Sequence, residues 1–289
     1  MFRIFFLPDD KERQSALGAF GGIPYLHRKA VTSFGVLISP KLGPGPDDWL
    51  AHFYEAGQTF EQYKIRPGRV EGDKNEVVLQ PLGEEIAGEL VEMVVGLAAA
   101  YFPTLRFTVK DAIPTSALGF ESEPIYDSSA IINRIRQFPP ISRYALIALT
   151  SQDLYHTDPT NFVFSVCNTP AKVAVLSTAR LQSARGDSQL LYLRVAKLVV
   201  TAVCLAAGLK HCTYYECVMN GAWSVEELDR APLHVCPICL RKLLFCFDFN
   251  PMDWYSGLLT YTQRLPAPFI PATEWLQTRI SLFQASLAK

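Results

Sequence analysis

The sequence predicts an α+β fold: a mixed, twisted sheet of about five strands, a long apolar helix beneath it, and a small C-terminal lobe tied by cysteines. Three observations predict it. Short apolar runs bounded by turn residues recur at 77–82, 105–109, 144–150, 162–167 and 173–177, as the strands of a core sheet do. Helix-spaced apolar patterns over 84–101, 128–137 and 189–207 alternate with these runs. Four cysteines in two close pairs, Cys212 with Cys217 and Cys236 with Cys239, follow the last helix.

Taken in order, residues 1–75 are rich in loop signals, notably the run from Pro40 through Gly43, Pro44, Gly45 and Pro46. Asp47 or Asp48 is placed to cap a short helix carrying Trp49 and Tyr54. This stretch holds no catalytic constellation and reads as an extension packing on the main domain. The helix over 84–101 breaks at Pro103, and the one over 128–137 is capped by Asp127 or Ser128 and closed by Pro139 and Pro140. The third helix ends at Gly208, a residue suited to a C-cap. Its Leu198, Val199, Val200, Val203 and Leu205 cover nearly all sides, the pattern of a buried helix or a filled cleft. The organisation expected is an extension over 1–75, a sheet-bearing subdomain over 76–210 and a C-terminal subdomain over 211–289. Trp254, Tyr255 and the run from Trp275 read as amphipathic packing elements of that last part.

Composition narrows the function classes. The chain has 289 residues, 49% of them apolar and 12% aromatic, as a protein with a sizeable core does. A formal net charge of −1 gives no basis for binding nucleic-acid phosphates or an acidic membrane surface. The N-terminal apolar run stops at Asp9 and Asp10, too soon for a secretory leader. The most apolar run, 198–208, has 11 residues, short of a membrane span. A soluble intracellular protein, cytoplasmic before any organelle, is expected.

The two cysteine pairs are spaced C-x4-C and C-x2-C, with 18 residues between them. Such spacing lets two short turns each present two thiolates to one tetrahedral zinc. Pro237 presets the backbone of the second turn. The total of seven cysteines is odd, which argues against a disulfide framework. Cys167, Cys204 and Cys246 read as small buried apolar residues. His27, His52, His156 and His234 share no ligand spacing.

Just before the first pair, Gly208 and His211 fall where the metzincin pattern H-E-x-x-H-x-x-G-x-x-H places its glycine and third histidine. Thr201, Ala202 and Leu205 stand at the first histidine, the glutamate and the second histidine. A catalytic zinc needs three protein ligands and an open position for water. Leucine cannot donate to a metal, threonine is a poor zinc ligand, and alanine cannot act as general base. His211 alone cannot hold a zinc tightly.

The run Gly208, His211, Cys212, Cys217, Met219, Cys236, Pro237, Cys239, with Thr150, Asp153, Tyr155, Asn161 and Phe164 upstream, resembles the archaemetzincins, especially their eukaryotic members. The likeness extends over about residues 45–245, and Ser165 departs from it where the family has glycine. The resemblance implies a metzincin-like fold, a structural zinc on Cys212, Cys217, Cys236 and Cys239, and a Met-turn methionine at Met219. It matches His211 to one catalytic ligand, so Thr201, Ala202, Leu205, His211 and Met219 make up a vestigial active site. The family's aminopeptidase-like activity does not carry over.

The reading is therefore a catalytically inactive archaemetzincin, a pseudopeptidase with one structural zinc and no catalytic zinc. It serves as a structural or protein-interaction subunit of a larger assembly, with protein partners and neither nucleic acid nor membrane. One alternative is an active zinc-dependent metallopeptidase with non-standard ligands, such as His211 with Cys204 or a distant histidine. Another is a nucleic-acid-binding zinc ribbon, against which the charge counts. The segment 162–166 is expected to be an edge strand, open to strand addition by a partner.

Overall fold

The computed structural model describes residues 5–83, 86–119, 125–137, 143–182 and 188–288. In chain order its helices and strands are α1 (Asp10–Leu17), α2 (Tyr25–Thr32), α3 (Trp49–His52), α4 (Phe60–Tyr63), β1 (Glu76–Leu82), α5 (Gly88–Tyr101), β2 (Arg106–Val109), β3 (Ile125–Asp127), α6 (Ser128–Ile135), β4 (Ala145–Thr150), β5 (Asp153–His156), β6 (Asp158–Phe162), β7 (Ser165–Asn168), β8 (Val173–Ser177), α7 (Ser188–Ala206), α8 (Val225–Arg230), α9 (Pro237–Phe247), α10 (Pro251–Thr262) and α11 (Ile270–Leu287). They gather into two compact units, one of residues 69–207 and one joining 1–68 to 208–289. The first 68 residues thus cluster with the cysteine-bearing segment.

The unit 69–207 carries the expected five-stranded mixed sheet, in the order β2-β1-β4-β8-β7. All pairings are parallel except β7 on β8. Every residue of β4 and β8 is buried, which explains their continuous apolar runs. Alternate residues serve opposite faces. Val78 and Leu82 of β1, Leu146 and Ala148 of β4, and Val173 and Val175 of β8 form one core with Ile131, Ile132 and Ile135 of α6. Helices α5 and α7 pack together, and α7 also packs on β4, β7 and β8.

Three local expectations change. The strand expected over 162–167 is two strands in two sheets. Phe162 ends β6 in a small sheet of order β3-β5-β6, and β7 is the edge of the large one. Phe164 between them is buried and its carbonyl accepts the Ser177 amide at 2.9 Å, a corner that apolar patterning alone does not reveal. Helix α5 begins at Gly88, after the expected start, part of which lies outside the described residues, as do Pro139 and Pro140. Helix α7 is long and apolar enough by composition to cross a membrane, with mean hydropathy 1.7, because its few polar residues are averaged among aliphatic ones. It is 72% buried within the fold, as a core helix is.

The unit joining 1–68 to 208–289 is built around α9, against which α1, α2 and α4 pack, while α10 and α11 form a hairpin that also meets α2. Arg241 of α9 donates to the carbonyls of Leu17, Gly18 and Ala19, at the C-terminus of α1. Its guanidinium stacks over Phe60 at 3.9 Å. A cation there answers the partial negative charge of the helix end and satisfies carbonyls that lack intrahelical partners.

Candidate functional site

Four cysteines from two close sequence pairs converge in the second unit. The sulfur atoms of Cys212, Cys217, Cys236 and Cys239 all lie within 4.8 Å of one another, and all four residues are buried. Cys212 Sγ and Cys236 Sγ are 3.6 Å apart, and none of the four is in a disulfide. Four thiolates on one tetrahedral zinc with Zn–S bonds of 2.3 Å would stand about 3.8 Å from one another. The set therefore fits zinc in donor type, number and spacing. Electrostatics agrees. Burial pushes the Cys217 and Cys236 thiols well up, while hydrogen bonds from Cys217, Cys236 and Cys239 hold Cys212 well below the ordinary thiol range. A buried cluster of this kind carries its negative charge only with a cation at its centre.

Local structure prepares each pair. Cys236 is the N-cap of α9 and Pro237 occupies its first turn, where a missing N–H costs nothing. The Cys239 amide donates to Cys236 Sγ at 3.5 Å, and the Cys236 amide to Cys217 Sγ at 3.3 Å. The first pair is closed by Asn220, a residue the sequence reading passed over. Its Nδ2 donates to the carbonyls of Cys212 at 2.7 Å and Tyr215 at 3.0 Å, and its Oδ1 accepts the Cys217 amide at 3.0 Å. Only its place directly after Met219 could have marked it. Met219 is fully buried, and its carbonyl accepts the Cys212 amide at 2.7 Å. From outside, residues 39–41 pair with 214–216, with Pro40 bridging to Tyr215 and the Glu216 amide donating to Ser39 O.

The residues of the degenerate pattern fall in different places. Thr201, Ala202 and Leu205 lie on α7, with Thr201 and Leu205 about one turn apart. Gly208 has φ +86°, a left-handed backbone that ends the helical path, and a side chain there would press on the Arg66 carbonyl. His211 belongs to the cysteine-bearing unit, where its Nδ1–H donates to Glu55 Oε1 at 2.9 Å and its ring stands edge-on to Trp49. Nothing in the sequence ties Glu55 to a histidine 156 positions away. Among the described residues no second group of three His, Cys, Asp or Glu side chains converges as the four cysteines do.

Comparison with known proteins bears on these observations. The model of peptidase family M54 matches residues 125–244. Archaemetzincin-2 of Pongo abelii is 28% identical over 268 residues, 78% of this chain and 74% of its own. The crystal structure of the archaemetzincin of Archaeoglobus fulgidus, complexed with malonate, is 32% identical, with TM-score 0.50 over 58% of this chain and 99% of that one.

The chain belongs to the archaemetzincin family.

The archaemetzincin of Methanopyrus kandleri is also similar, at 26% identity and TM-score 0.52 over 62% of this chain and 98% of its own. The archaeal archaemetzincins are thus matched almost whole, and this chain adds residues to what they contain. The match to the model of peptidase family M54 covers Cys212, Cys217, Cys236 and Cys239 together with Thr201, Ala202, Leu205 and His211.

Proposed function

We propose that this archaemetzincin is a pseudopeptidase: a catalytically inactive family member that acts as a structural or protein-interaction subunit of a larger assembly. One observation carries the reading. The three positions that would supply two zinc ligands and the general base hold Thr201, Leu205 and Ala202, in consecutive turns of α7. None offers an imidazole or a carboxylate, and no proton acceptor stands at 202 to activate a metal-bound water.

The zinc in this reading is structural. Cys212, Cys217, Cys236 and Cys239 would hold it with all four coordination positions filled, and such a site joins segments without binding water or substrate. What remains is a scaffold whose retained features all serve folding: the cysteine quartet, Met219 in its buried loop, and Gly208 after α7. A scaffold kept without its chemistry is suited to binding other proteins.

The test is metal content together with peptidase activity. Elemental analysis of the purified protein should give one zinc per chain, with no cleavage of peptide substrates at any concentration of added zinc. Two zincs per chain, or chelator-sensitive cleavage, would replace this reading with that of a metallopeptidase using non-standard ligands.

A further inference from the structure

His211 keeps company that the loss of a catalytic metal does not explain. The segment 48–58 is fixed at both ends. At the first, Asp48 meets Arg230, and the Trp49 amide donates to Glu227 Oε2 at 2.7 Å. At the second, Gln58 Nε2 donates to the Gly208 carbonyl at 3.1 Å, Gln58 Oε1 accepts the Lys210 amide at 3.2 Å, and Lys242 Nζ meets the Gln58 carbonyl. Between these ends Glu55 Oε1 accepts a hydrogen bond from His211 Nδ1 at 2.9 Å.

The approach is close. A Cβ added at Gly221 would stand 2.5 Å from the Trp49 ring, and one at Gly57 would stand 2.5 Å from the Tyr214 ring and 2.6 Å from Thr213 Oγ1. Trp49 stacks on Phe53 at 4.1 Å, His52 on Trp223 at 4.6 Å, and Phe53 meets Trp223 at 5.5 Å. Yet Trp49 Nε1, Glu55 Oε2 and Thr213 Oγ1 are buried with no hydrogen-bond partner among the described residues. Closing the segment buries polar atoms that an open one would present to water, which favours opening. The contacts of His52 and Phe53 with Trp223 and the His211–Glu55 bond oppose it.

The geometry points to residues 48–58 as a strap, hinged at Asp48 and Gln58 and latched in the middle by Glu55 on His211. The latch gives the retained histidine a present role: it holds the strap over the segment 208–214, and release would bare Trp49 and Trp223. A carboxylate on Nδ1 is also how a protein orients a metal-binding histidine. Against that, no two further ligand side chains among the described residues join His211. The inference stands apart from the pseudopeptidase reading, and metal binding separates the two.

Hydrogen exchange read by mass spectrometry on zinc-loaded, full-length protein tests the latch. Glu55→Ala and His211→Gln should each raise exchange in peptides spanning 49–58 and 208–211 by roughly tenfold, with one zinc per chain retained. The double variant should exchange no faster than the faster single one, because both changes break one bond. Glu55→Gln, whose amide oxygen still accepts from Nδ1, should fall between wild type and Glu55→Ala. Wild-type exchange in the single variants, or effects that multiply in the double, would overturn the latch. So would a second cobalt ion that binds the wild type and is lost in Glu55→Ala, which would make Glu55 the orienter of a metal ligand.

Discussion

The imidazole of His234 lies flat on the indole of Trp275, with ring centroids 4.0 Å apart and planes 4° apart. His234 stands two residues before Cys236, and Trp275 sits on α11, so the stack ties the C-terminal helix to the second cysteine pair. The same indole donates from Nε1 to the Leu37 carbonyl at 3.0 Å and lies beside Phe34 and Tyr255. Trp275→Ala removes all of these contacts at once and should destabilise the protein by about 3 kcal/mol, as loss of large aromatic side chains does. Trp275→Phe, which retains a ring to stack, should lose less. Urea denaturation of the zinc-loaded protein measures both.

Arg279 is wholly buried, and among the described residues no carboxylate forms an ion pair with it. Its guanidinium donates to the carbonyls of Ala30 and Ser33 and to the Tyr255 hydroxyl, and it lies over the rings of Phe34, Tyr255 and Phe283. Ala30 and Ser33 close the end of α2, so the arginine satisfies carbonyls at this helix terminus and adds a second cation to Lys29 of its last turn. Arg279→Met fits the space but leaves the carbonyls unpaired. A loss of about 3 kcal/mol is expected, since each hydrogen bond from a charged group contributes about 1.5–3 kcal/mol. A change below about 1 kcal/mol in thermal or chemical unfolding would show that the carbonyls find other partners.

Removal of the metal should unfold the cysteine-bearing unit rather than loosen it, because structural zinc binding and folding share free energy on the order of 10 kcal/mol. Cys236→Ser should give insoluble protein. Asn220→Ala tests the loop without touching a ligand: it frees the Cys212 and Tyr215 carbonyls and the Cys217 amide. Zinc affinity in a competition titration with a chromophoric chelator should fall by about ten- to a hundredfold, the range for residues that orient ligands.

Glu227 is buried, and burial pushes its carboxyl above its ordinary value of 4.5, against the pull of the backbone amides of Trp223 and Trp49. A carboxyl raised on folding contributes stability that is full below its ordinary value and is lost as pH rises through the raised one. Glu227→Gln has no such proton to hold. The melting temperature of the wild type relative to this variant should therefore fall as pH is raised from about 4 towards 7. A difference independent of pH would mean that the carboxyl is not raised.

Phe164 joins two sheets instead of lying exposed on one edge, and it is buried with its ring against Phe162. Phe164→Ala should cost about 3 kcal/mol in the unit 69–207, by the loss of a core aromatic. The alternative, a surface strand that tolerates substitution, would leave the unfolding midpoint unchanged.

Much of this protein was legible in its sequence. Four of the five strands of the large sheet, most of the helices α5, α6 and α7, and the cysteine quartet follow from patterns within about 30 residues of one another. Periodicity and ligand spacing are local, and each was strong enough to survive without tertiary context. That Thr201, Ala202 and Leu205 stand at these positions is likewise a matter of identity alone. What only the tertiary structure decided was association across the chain. It joined the first 68 residues to the cysteine-bearing segment, closed the Cys212–Cys217 loop with Asn220, and set Glu55 on His211. These pairings rest on buried guanidinium caps, stacked rings and single polar contacts between residues up to 249 positions apart. No sequence period encodes such contacts, because each depends on where separate elements come to rest rather than on how any one of them forms.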